Sequence, residues 1–140
     1  MIYARDLMIT ELFTLNENDT LALARSLMGL ARIRHIPVVR ADMQFVGLVT
    51  HRDILEATVS RFADIDADTQ ADLDKGIPIA AIMQTGVKTI TPDTPVIDAA
   101  NMLYTNKYGC LPVLEGEKLV GIITEADFLR LTISLLEPLT

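Results

Sequence analysis

Two short stretches concentrate the residues that could do chemistry. Gly47-Leu48-Val49-Thr50-His51-Arg52-Asp53 recurs as Gly121-Ile122-Ile123-Thr124-Glu125-Ala126-Asp127. In both, an apolar run ends in Thr and an Asp follows three residues later. Thr-x-x-Asp at a helix start is close to a capping box, with the Thr capping the helix and the Asp answering from its third position. The same geometry suits a ligand. A helix N-terminus offers free N–H groups and a favourable dipole to an anion. A carboxylate can accept from both vicinal hydroxyls of a ribose, and a Thr hydroxyl can serve a cap or a phosphate. The two readings are compatible, since a cap can fix the Asp where a nucleotide needs it.

Other chemistry is thinly represented. There is no G-x-x-x-x-G-K-[ST] and no G-x-G-x-x-G. His35 and His51 lack metal-ligand spacing, and they flank different elements, so no nucleophile–base–orienter set assembles. Cys110 is the single cysteine, which excludes an internal disulfide and reads as a small buried apolar residue. Catalysis has no visible machinery, and no metal site or enzymatic activity is expected. The net charge of −7 argues against a nucleic-acid surface, which needs clustered Lys and Arg. No apolar run approaches the ~18 residues of a membrane span, and the start Met1-Ile2-Tyr3-Ala4-Arg5 lacks the regions of a secretory signal. The expectation is a cytoplasmic protein with no membrane and no nucleic-acid partner. Half of the 140 residues are apolar, and the core is aliphatic, because Trp is absent and aromatics are few.

The elements that position the two stretches are themselves repeated. At an offset of 75, Met8, Thr10, Thr14, Ala24, Pro37 and Val38 fall on Met83, Thr85, Thr89, Ala99, Pro112 and Val113. At an offset of 74, Val46, Gly47, Thr50, Asp53 and Leu55 fall on Val120, Gly121, Thr124, Asp127 and Leu129. The change lies between Val39 and Val46, where a turn tolerates it. Within one unit, Phe13-Thr14-Leu15 reads as a short strand. Asp19 reads as an N-cap, and a helix over Thr20–Leu30 places Leu23, Leu27 and Leu30 on one face. Ile36–Val39 and Phe45–Val49 read as a hairpin turning at Ala41-Asp42, and Thr50 opens a second helix to about Val59. The second unit reads the same way: Lys88–Ile90, a helix over Val96–Thr105 capped by Thr94 with Pro95 in its first position, Leu111–Leu114, Leu119–Ile123, and a helix over Glu125–Leu136. The fold class is therefore α/β (α+β), two β-α-β-β-α repeats packed as one pseudo-two-fold module. Each repeat has a three-stranded sheet that could not bury its surface well alone. The repeats span residues 1–60 and 81–140. The linker, 61–80, is acidic and carries a short helix ending near Gly76. Its Asp64-x-Asp66-x-Asp68 run departs from a calcium loop, because Thr69 stands where Gly is required and Lys75 where Glu is required.

This order of a short strand, a helix, an apolar-Pro-Val strand, a Gly-apolar-apolar-Thr-x-x-Asp hairpin end and a helix resembles the CBS domain, twice over, from about Leu7 to Leu131. The resemblance implies a CBS pair, or Bateman module: a regulatory unit whose two inter-repeat clefts bind AMP, ADP or ATP, and in some members S-adenosylmethionine or NAD. It implies that the Thr and Asp residues hold phosphate and ribose, and that each cleft draws on both repeats. One set would be Thr10, Leu12, Ile33, Arg34 and His35 with Thr124 and Asp127. The other would be Thr50 and Asp53 with Thr85, Val87, Tyr108, Gly109 and Cys110. The first set is preferred for a phosphorylated ligand, because Arg32, Arg34 and His35 precede Pro37 where Lys107, Gly109 and Cys110 precede Pro112. Arg32 and Arg34 equally suit the C-terminal dipole of a helix. Arg52 beside Thr50 could also contact phosphate, with surface exposure the favoured reading. The resemblance further implies a homodimer packed through helices, with Phe128–Leu136 as a candidate contact or as core, and an effector protein on a separate chain. The alternative is a structural or protein-interaction CBS pair that binds no nucleotide.

Overall fold

The Pro-Val strands and their partners form two antiparallel hairpins, each leading directly into a helix. The computed structural model describes residues 1–57 and 75–140 in full and the backbone of 58–62, so Asp64, Asp66, Asp68, Asp72 and Asp74 of the linker lie outside the described residues. Two compact units result. One is formed by residues 13–87, the other by residues 1–12 with 88–140.

In the unit of residues 13–87 the elements are α2 (Leu21–Ala31), β1 (His35–Val39), β2 (Phe45–Thr50) and α3 (His51–Phe62), with a 3-10 turn at Ile79–Ala81. In the other unit they are α1 (Ala4–Leu7), α4 (Val96–Asn106), β3 (Cys110–Glu115), β4 (Lys118–Thr124) and α5 (Glu125–Leu136). β1 pairs with β2 and β3 with β4, and both ladders slip by one residue at the same place, past Val46 and past Val120. A bulge sharpens strand twist, so the repeat reproduces even this irregularity. The offset changes in the hairpin turns, as expected. Arg40–Gln44 is a wide turn with Asp42 and Met43 at φ 60° and 63°, whereas Gly116 at φ 62° opens a two-residue loop.

The expected third strand shrinks to a single parallel bridge. Leu15 N donates to the Pro37 carbonyl at 3.0 Å and Val39 N to Leu15 at 2.8 Å; Ile90 makes the same two bonds with Pro112 and Leu114. Turns at Asn16–Asp19 and Thr91–Thr94 follow at once and stop the pairing. The opposite edge of each hairpin is covered by the start of the other repeat. Leu48 exchanges both backbone bonds with Gln84 at 3.0 and 2.8 Å, and Ile122 exchanges them with Ile9 at 3.0 and 2.9 Å. Gln84 and Ile9 are repeat equivalents, so the two repeats trade their leading segments. The cores show the trade as well. Ala4 is buried beside Ala99, Leu111 and Ile123, and its equivalent Ile79 is buried beside Ala24, Ile36 and Val49. Burial of each Leu, Ile or Val among these contributes about 1.5–3 kcal/mol.

The trade explains the glycines of both motifs. A Cβ on Gly47 would stand 2.8 Å from the Gln84 carbonyl, and one on Gly121 would stand 2.7 Å from Met8 Sδ and 3.1 Å from the Ile9 carbonyl. Only glycine lets the traded segment approach this closely.

Helix limits correct several expectations. Thr20, not Asp19, caps α2 by accepting from Leu23 N at 3.3 Å, while Asp19 accepts from Asn16 N at 2.7 Å inside the preceding turn. The buried face of α2 is Leu21, Ala24 and Met28, at i, i+3 and i+7. Leu23 and Leu30, expected inside, are 42% and 85% exposed. Pro95 occupies the N-cap of α4, and the Thr94 hydroxyl instead accepts from Thr91 N at 3.1 Å. On α5, Phe128 and Leu131 are half-buried, while Leu129, Ile133, Leu135 and Leu136 are exposed.

Candidate functional site

Each hairpin delivers its Thr to the first turn of the following helix, and there the two carboxylates are held by caps. Thr50 N donates to Asp53 Oδ2 at 2.8 Å, the Thr50 hydroxyl donates to the same oxygen at 2.9 Å, and Asp53 N donates to Thr50 Oγ1 at 3.2 Å. In the other unit Thr124 N donates to Asp127 Oδ2 at 2.7 Å, with the Thr124 hydroxyl at 3.4 Å. The capping reading is thus realised in both. It binds Oδ2 and points Oδ1 away from the cap.

What meets Oδ1 differs. Gln84, brought in by its pairing with Leu48, donates its amide to Asp53 Oδ1 at 3.0 Å and to Oδ2 at 3.2 Å. Its equivalent in the other unit is Ile9, whose side chain has nothing to donate. There the guanidinium of Arg130, one helical turn on, pairs with Oδ1. The residue equivalent to Arg130 is Glu56. Asp53 is half-buried, whereas Asp127 is only 1% exposed and Arg130 is largely in solvent. A carboxylate offers about four acceptor sites, so Oδ1 in each unit keeps a lone pair beyond the one that Gln84 or Arg130 occupies. Neither Gln84 nor Arg130 was singled out in the sequence. Arg130 was legible as an i,i+3 partner of Asp127. Gln84 required knowing the traded segment.

The other predicted residues fall into place by unit. Thr10 (exposed) and Leu12 (half-buried) belong with Thr124 and Asp127; Thr85 (exposed) and Val87 (half-buried) belong with Thr50 and Asp53. Ile33, Arg34 and His35 belong to the unit of residues 13–87, and Tyr108, Gly109 and Cys110 to the other. Ile33 packs on its unit's core, Arg34 is exposed, and His35 begins β1 half-buried. Arg52 is exposed. Cys110 is buried, and desolvation pushes its thiol up to about 12. Among the described residues no three His, Cys, Asp or Glu are grouped to hold a metal ion, and no helix is long and apolar enough to cross a membrane.

The CBS-domain family model matches residues 4–60 and 79–134. The chain belongs to the CBS-domain family. A CBS domain-containing protein of Dictyostelium discoideum is 33% identical over 138 residues, covering 98% of this chain and 95% of its own. Longer CBS relatives include a homoserine O-acetyltransferase of Methanohalobium evestigatum, 28% identical, of which this chain spans 24%. Among solved structures, the AcuB protein of Vibrio cholerae, assigned to acetoin utilization, superposes with a TM-score of 0.82 at 35% identity, over 98% of this chain and 94% of that one. CBSX2 of Arabidopsis thaliana, in complex with AMP, gives 0.81 at 21% identity over 96% and 98%. The CBS pair of protein MJ0100, in complex with 5′-methylthioadenosine and S-adenosylmethionine, gives 0.79 at 24% over 96% and 98%. The last two establish the shared CBS-pair fold.

Proposed function

We propose that this CBS pair is a regulatory module that binds an adenosine-containing ligand of the AMP, ADP or ATP class and acts through its own dimer or a partner protein. The observation that carries the reading is the pair of capped carboxylates. Asp53 and Asp127 each have Oδ2 held by the preceding Thr and Oδ1 met by one further side chain, Gln84 or Arg130, and a carboxylate so oriented can accept from a ribose diol. Structural relatives with AMP, methylthioadenosine and S-adenosylmethionine bound support the adenosine class. In this reading Asp127 serves the phosphorylated ligand. The exposed apolar residues Leu129, Ile133 and Leu136 of α5 suit the contact with a second copy or an effector; they equally favour the second reading, an interaction module without nucleotide.

Melting the protein with AMP, ADP, ATP, S-adenosylmethionine or NAD, each at millimolar concentration, separates the readings. A ligand at about 100 times its Kd adds about 2.7 kcal/mol, or roughly 5–10 °C for a chain of this size. At least one phosphorylated ligand is expected to give such a rise. No rise with any ligand would leave the interaction module standing.

A further inference from the structure

Both traded segments carry a methionine at the same register, Met8 in one unit and Met83 in the other. Between residues 7–12 and 82–87 only this methionine and the threonine two places on are identical. Each methionine lies against the glycine of its own unit's motif. A Cβ on Gly121 would stand 2.7 Å from Met8 Sδ and 2.9 Å from its Cγ; one on Gly47 would stand 3.0 and 3.3 Å from the same atoms of Met83. The thioether therefore fills the place that a side chain on the strand would take. Met8 packs on the core that holds Leu111 and Ile123, and Met83 on the core that holds Ile36 and Val49. Both methionines are only half-buried, so each keeps surface in water.

A thioether suits this seat because it is apolar, flexible and unbranched. Its sulfoxide does not. Oxidation makes the side chain polar and adds an oxygen to a sulfur already in close contact. The polar backbone atoms nearest this contact are carbonyl oxygens: Gln84 O, 2.8 Å from the Cβ position of Gly47, and Ile9 O, 3.1 Å from that of Gly121. Both already accept a hydrogen bond, from Leu48 N and Ile122 N. A sulfoxide oxygen is itself an acceptor, and it meets a carbonyl where it would need a donor. Gln84, next in sequence to Met83, donates its amide to Asp53, so a shift of this segment also withdraws that amide.

We propose that Met8 and Met83 form an oxidation-sensitive switch, in which a peroxide converts them to sulfoxides and the traded segments part from their hairpins. In the step the thioether sulfur attacks one peroxide oxygen. The S–O bond forms as the O–O bond breaks, the proton on the attacked oxygen passes to the departing one, and with hydrogen peroxide water leaves. Sulfur loses two electrons and the peroxide gains them. A sulfoxide reductase reverses the change. The switch does not depend on whether a nucleotide binds.

Treatment of the full chain with hydrogen peroxide tests it. Peptide mass mapping follows each methionine, and urea unfolding reads stability. Met1 and Met43, 92% and 37% exposed, are sites whose oxidation should not change stability, and Met28, 6% exposed, is one that should resist. Met8 and Met83 are expected to oxidise faster than Met28, and the urea midpoint to fall by about 1 M once they have. Sulfoxide reductase is expected to restore it, an arm that needs no substitution. The double variant Met8→Leu, Met83→Leu, a volume-conserving change, is expected to show no such fall under peroxide. Met8→Gln with Met83→Gln, which brings an amide oxygen to the same contact, is expected to lower the midpoint without any oxidant. An unchanged midpoint after Met8 and Met83 are oxidised, or an equal fall in the leucine variant, would overturn the inference. So would oxidation of Met8 and Met83 no faster than that of Met28.

Discussion

In the unit of residues 13–87 the carboxylate Asp53 is answered by the neutral amide of Gln84; in the other unit Asp127 is answered by the charge of Arg130. Backbone, cap and bulge are common to both. The partner comes in one case from the traded segment and in the other from the carboxylate's own helix. The end of α2 repeats the lesson: Gly29, Arg34 and His51 in one unit stand where Tyr104, Gly109 and Glu125 stand in the other. Duplication preserved what folds the motif, namely Gly, Pro-Val, Thr and Asp. Divergence fell on the side chains that surround the two carboxylates.

The glycines offer the sharpest way to break the likeness. Gly47→Ala drives its Cβ into a backbone carbonyl that cannot yield without tearing Gln84 from Leu48, and about 3 kcal/mol should be lost. Gly121→Ala meets first the end of a flexible methionine, and about 1 kcal/mol is expected. Urea unfolding of both variants reads the difference; equal losses would mean that the traded segments are not held as described.

Next in size are the carboxylates. Asp127→Ala removes a buried cap and leaves its backbone donor at Thr124 without an acceptor, for about 2 kcal/mol, while Asp53→Ala should cost about 1 kcal/mol. Gln84→Ile gives Asp53 the neighbour that Asp127 has. A loss of about 0.5–1 kcal/mol is expected, again by urea unfolding, since the amide bonds only a partly solvated charge.

The smallest effect at neutral pH concerns Cys110, whose equivalent is His35. Burial lifts the thiol from about 9 to about 12, so its contribution is fully present below pH 9 and is lost as pH rises from 9 towards 12. Below that window native protein should resist a thiol reagent that labels the denatured chain at once. Comparable labelling of the native protein at pH 8 would contradict the burial.

Much of this was legible in the residues. The repeat, the hairpins, the limits of α5 and both caps follow from periodicity and from Thr-x-x-Asp. Other features were not, among them the N-cap of α4, which passed from Thr94 to Pro95, and the third strands, each reduced to one bridge. The N-cap of α2 passed to Thr20 because Asp19 is held by its own turn, a choice between neighbours that spacing does not decide. The outward Leu23 and Leu30 looked like core, because leucine at helical spacing does not reveal which face meets the sheet. Pairing of Ile9 and Gln84 with the opposite hairpin is a non-local contact, and it hid Gln84 as the partner of Asp53. Thr10 lies in the unit of Thr124 and Asp127, and Thr85 in the unit of Thr50 and Asp53.

The central claim is that one motif written twice has unequal chemistry. Calorimetric titration of ATP into wild type, Asp53→Asn and Asp127→Asn tests it most directly. Asp127→Asn should weaken the tighter binding event by about tenfold or more, the scale of one charge-assisted hydrogen-bond set, and Asp53→Asn should change it by less than about threefold. Equal losses in the two variants, or an affinity that neither variant alters, would contradict the account.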